Sequence, residues 1–126
     1  MKEWMTIGDI INGLKHYRRI AKQDLLAAEL TDCPDIHQTH AVARREIYGL
    51  LMERAKTSSN GEVLEYALEL YESLPLVSGT GPDEYADIKG QEAALENFFL
   101  MINLEPKVRR ELRKRRKRIE KYLVSA

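Results

Sequence analysis

Four breaks, TDCPD (31–35), TSSNG (57–61), PLVSGTGP (75–82) and NLEP (103–106), cut the chain into five segments, and in each the apolar residues return at steps of three and four. A step of three or four is the repeat of a helix that buries one face. No stretch alternates at period two, and β-branched residues never cluster, so strands have no pattern to form from. The expected fold is all-α: about five helices in a compact bundle, the last of them basic.

The first segment opens with Thr6 and, three residues on, Asp9, in the manner of a capping box, with Met5 placed to staple against Ile10. Ile7, Ile10, Ile11, Leu14, Tyr17, Ala21 and Leu25 share a face, which predicts a helix over about 7–30. Gly13 inside it costs about 1 kcal/mol relative to alanine and marks a point where another helix can come close. The second helix is expected over about 40–56 with Thr39 as N-cap, and the third over the EVLEYALELYESL stretch, between Ser59 or Asn60 and Pro75. On the third, Glu62, Glu65, Glu69 and Glu72 fall at i, i+3, i+7 and i+10 and make a narrow acidic ridge. The fourth is expected over about 82–102, started by Pro82 with Asp83, Glu84 and Asp87 in its first turn. Its end, FFLMI (98–102), is apolar on all sides. The fifth begins after Glu105 and Pro106 and should run to about Val124.

Charge divides the chain more sharply than hydropathy does. The 126 residues carry zero net charge, yet residues 1–106 hold 10 Lys/Arg against 18 Asp/Glu, whereas residues 107–126 hold 10 against 2. The expected organisation is therefore an acidic helical bundle over 1–104 and a basic helix over 105–126 packed on the same unit. Val108, Leu112, Arg115, Ile119 and Tyr122 repeat at +4, +3, +4 and +3, the seam of a packed helix. Lys107, Arg109, Arg110, Arg113, Lys114, Arg116, Lys117, Arg118 and Lys121 fill the rest of its circumference.

Such a cationic back fits a polyanion better than a stability device, because exposed ion pairs contribute only about 0–1 kcal/mol each. The first functional expectation is thus a small non-enzymatic, regulatory or architectural protein that holds the phosphate backbone of nucleic acid through those nine residues. The helix has no Asn or Gln, so contact would be mostly blind to sequence. NLEPKVRREL does not make a helix-turn-helix: the turn is one residue short of the inward aliphatic, and Phe99 stands where a small residue is needed. The alternative is a protein-protein adaptor or inhibitor. Its partner would meet the ridge of Glu62, Glu65, Glu69 and Glu72, the FFLMI end of the fourth helix, or the seam residues Leu112, Arg115 and Ile119, which could also join two copies as a homodimer.

Other chemistry is poorly represented. Cys33, His37 and His40 follow C-x3-H-x2-H, which matches no dependable zinc spacing, and no catalytic, cofactor or metal signature appears. SGTG (78–81) lacks the lysine and hydroxyl of a phosphate loop. The tyrosines Tyr48, Tyr66 and Tyr71 sit at core spacing. One cysteine, no secretory signal and no apolar run long enough for a bilayer point to a cytoplasmic protein without a membrane partner.

Overall fold

The computed structural model describes residues 5–77 and 85–119, with only the backbone of residues 118 and 119. Five α-helices build an all-α bundle: α1 Ile7–Ala27, α2 Pro34–Thr57, α3 Asn60–Ser73, α4 Ala86–Met101 and α5 Pro106–Arg115. A single 3-10 turn, Ala28–Leu30, follows α1. The long helix expected over about 7–30 therefore tightens in its last turn instead of continuing as α.

Local chemistry accounts for most of the boundaries. Thr6 Oγ1 accepts the Asp9 N–H at 3.1 Å and starts α1. Ser59 and Glu62 form a reciprocal capping box at the start of α3, with bonds of 3.2 and 2.8 Å. α2 begins at Pro34, well before the expected Thr39. Proline at the first helical position and Asp35 in the first turn are helix-start features, and here they win over the turn that CPD also fits. α4 starts at Ala86 after Tyr85, whose φ is 56°; the expected start at Pro82, Asp83 and Glu84 lies outside the described residues.

α2 is the central element and packs chiefly on α1 and α4. Ile10, Leu14, Ile47, Leu51, Val63, Tyr71, Leu95 and Phe98 are buried in one continuous core, each contributing about 1.5–3 kcal/mol by leaving water. Tyr17 of α1 stacks on Tyr48 of α2 at 5.6 Å, and Tyr71 of α3 meets the edge of Phe99 at 5.3 Å. The α2–α4 approach depends on Gly90, where a Cβ would stand 2.5 Å from the carbonyl oxygen of His40 and 2.9 Å from the Cβ of Ala43. Gly13 is also a point of close approach, as expected, but there the neighbour is the pliable side chain of Met101.

α5 departs most from expectation. It ends at Arg115, not near Val124, and Arg116 is already extended at φ −71° and ψ 140°. The chain then lies parallel to the segment after α3: Leu76–Val77 (β1) pairs with Arg118–Ile119 (β2), and the Leu76 N–H donates to the Lys117 carbonyl at 2.7 Å. This two-residue pairing is the one β element among the described residues.

Candidate nucleic-acid interface

The connection from α4 to α5 places the basic helix. Asn103 takes φ 60°, a left-handed conformation that asparagine tolerates, and the Leu104 N–H closes back on the Phe99 carbonyl at 2.9 Å. Pro106 then starts α5 in a direction that lays one of its faces over α3 and α4.

That face is made of arginines. Arg109, Arg113 and Arg116 succeed one another at +4 and +3, and α4 answers with Glu92 and Glu96, one turn apart. Arg109 lies 3.5 Å from Glu96, Arg113 3.2 Å from Glu92 and Arg116 2.6 Å from Glu92. On the flank Arg115 reaches Glu72 of α3 at 3.6 Å. Four arginines expected to face outward or to form a seam are thus held by carboxylates of the same chain. The Arg109, Arg113 and Arg115 pairs are partly solvated, which limits each to about 0–1 kcal/mol.

Arg116 is a different object, only 5% exposed. Its Nε donates to the Leu74 carbonyl at 2.9 Å, one terminal nitrogen to the Pro75 carbonyl at 2.7 Å and the other to Glu92. The guanidinium also sits 5.1 Å from the Tyr71 ring centre. Leu74 and Pro75 follow the last residue of α3 in backbone that has left the helix, so their carbonyls have no helical partner. Arg116 therefore fastens the chain after α5 to the segment that leaves α3. The expectation that it would meet an external polyanion is corrected, and its withdrawal into this site explains why α5 stops where it does. Tyr71 shares the arrangement by donating to Glu96 at 2.8 Å; burial first, then that carboxylate, push its phenol pKa up.

Lys107, Arg110 and Lys114 occupy the opposite face at i, i+3 and i+7. All three are exposed, as is Lys117 beyond the helix, and none has a carboxylate partner among the described residues. Arg110, Arg113 and Lys114 line, with Leu76, an open concavity of about 410 Å³. Lys121 and the side chain of Arg118 lie outside the described residues.

The surfaces expected to meet a protein are likewise divided. Glu62 serves the α3 cap, which holds its carboxyl below the usual range through hydrogen bonds to Ser59. Glu72 pairs with Arg115, so Glu65 and Glu69 remain as the exposed, unpaired part of the ridge among the described residues. Leu112 packs against the chain's own core, and the Ile119 side chain is outside the described set. Cys33 is an exposed thiol at the start of α2, and no three potential metal ligands converge among the described residues.

A second group of cations carries no expectation from the sequence reading. Lys15, Arg18, Arg19 and Lys22 of α1 stand at i, i+3, i+4 and i+7, which places them on one side of the helix. With Arg45 and Met52 of α2 they line an open concavity of about 360 Å³. The signal was present as KHYRRIAK, but four cations spread over eight residues are less conspicuous than ten over fifteen. No family model, curated protein or solved structure matches the chain.

Proposed function

We propose that the chain is a small non-enzymatic nucleic-acid-associated protein, regulatory or architectural in role, that contacts phosphate backbone with the outer face of α5. The observation that supports this reading most is the sorting of charge around that helix. Arginines on the inner face are neutralised by glutamates, while Lys107, Arg110 and Lys114 point to water at helical spacing with no carboxylate partner among the described residues. Cytoplasmic residence belongs to the same reading.

Counter-ion release gives the test its sign and size. Three phosphate contacts lower log K by about 2.7 per decade of salt, so affinity for a duplex should fall about 40-fold between 50 and 200 mM salt. Fluorescence polarisation with a mixed-sequence duplex measures this directly. Binding without a salt slope would end the reading.

The adaptor reading keeps one specific support: exposed Glu65 and Glu69 on α3, together with Leu100, 76% exposed at the end of α4. A basic helical peptide titrated calorimetrically against the protein and against Glu65→Lys/Glu69→Lys would reveal such a surface as heat lost in the variant.

A further inference from the structure

The concavity between α1 and α2 is lined by five cations, Met52 and no carboxylate. Lys15, Arg18, Arg19 and Lys22 are exposed, and none of the five has an ion-pair partner among the described residues. Glu46 and Glu53 line the adjoining concavity with Arg18, and Glu53 pairs with Lys56 at 2.8 Å. Arg45 is half-buried, and its Nε is enclosed without an acceptor among the described residues. A guanidinium that has lost part of its hydration and gained no counter-ion is costly, and an oxyanion at its outer nitrogens offsets that cost.

Spacing identifies the kind of anion. At 1.5 Å rise per residue the α1 cations occupy three levels, at Lys15, at Arg18 and Arg19, and at Lys22, spread over about 10 Å of helix. One phosphate needs two or three donors in one place, whereas three successive levels in an open trough suit a row of phosphates. A membrane-surface helix would surround its cations with large apolar side chains, and here the apolar lining is the buried Met52. We infer that the α1–α2 concavity is a binding site for the phosphodiester backbone of nucleic acid, with Arg18, Arg19 and Arg45 as its main contacts.

This surface is separate from the outer face of α5, and one experiment tells their failures apart. The full chain is titrated by fluorescence polarisation, at several salt concentrations, against a labelled mixed-sequence DNA duplex and an RNA hairpin of similar length. Three proteins are compared: wild type, Arg18→Gln/Arg19→Gln, and Lys107→Gln/Arg110→Gln/Lys114→Gln. The inference expects the α1 variant to lose at least tenfold in affinity on one of the two probes and its salt slope to shrink by about 2, with circular dichroism unchanged. If that variant misfolds, Lys15→Gln/Lys22→Gln replaces it with the same expectation. An α1 variant that binds like wild type overturns the inference while leaving the α5 reading standing if the α5 variant loses affinity. Failure of wild type to bind either probe overturns both, and binding to anionic-lipid vesicles without binding to either probe does the same.

Discussion

α5 and the α1–α2 concavity are both basic, and they are basic in opposite ways. α5 and the residues just after it concentrate charge in consecutive positions, and four of the five arginines with described side chains there end against Glu72, Glu92 or Glu96. The α1–α2 surface has fewer cations spread over two helices, and none of those five is paired among the described residues. Density of charge along a chain measures how much lysine and arginine is present. Availability to a ligand depends on what the folded chain sets opposite them. The dense run therefore works in large part as mortar between α5, α3 and α4, and the sparse stripe is the more open cationic surface.

The strongest way to break this contrast is to remove the mortar. Arg116→Met should cost roughly 3–5 kcal/mol in urea unfolding, because it strands two carbonyls and leaves Glu92 without its closest partner. Arg116→Lys should recover only part of the loss, since an ammonium cannot reproduce the planar fork. A cost below about 1 kcal/mol for Arg116→Met would mean that α5 is not fastened through this residue.

Next in size comes the frame that presents Glu92 and Glu96. Gly90→Ala drives a methyl group toward backbone at His40 and should destabilise by roughly 1–3 kcal/mol. Gly13→Ala displaces only the end of Met101, and the helix propensity it gains offsets much of the strain. Thermal unfolding of the pair should therefore rank Gly90→Ala well below Gly13→Ala.

Charge-removing substitutions sharpen the contrast at a smaller scale. Arg18→Gln/Arg19→Gln and Lys107→Gln/Lys114→Gln should each change stability by no more than about 0.5 kcal/mol, because neither pair touches a carboxylate among the described residues. The smallest effect is in alkali. Tyr71 is held neutral by burial and by Glu96, so its folded pKa lies above the unfolded value of about 10. The stability it contributes is complete below that pH and fades as pH rises through the folded value. Phenolate absorbance should show Tyr71 ionising later than a free phenol, and Glu96→Gln should bring it forward.

How much of this could be read from the sequence follows from how local each cause is. The starts of α1 and α3 were legible because Thr6 with Asp9, and Ser59 with Glu62, act within one turn. Pro34 and Asp35 fit a turn in the sequence although they begin a helix, since the same residue types serve both ends of a loop. The end of α5 was illegible because its cause is remote: the carbonyls of Leu74 and Pro75 recruit a guanidinium from forty residues away. Glu92 and Glu96 were visible as an i, i+4 pair, but their partners depend on the left-handed turn at Asn103. The α1 stripe was equally visible, and only the folded chain shows that no carboxylate of the described residues forms an ion pair with it.

One comparison tests the central claim, that pairing and not density decides which cations meet phosphate. Duplex affinity is measured at about 0.1 M salt for Arg19→Gln, an open arginine of α1, and for Arg113→Gln, which is clasped by Glu92. Loss of one phosphate contact should weaken Arg19→Gln about tenfold, while Arg113→Gln stays close to wild type. Equal weakening of the two, or a larger loss in Arg113→Gln, would contradict the account.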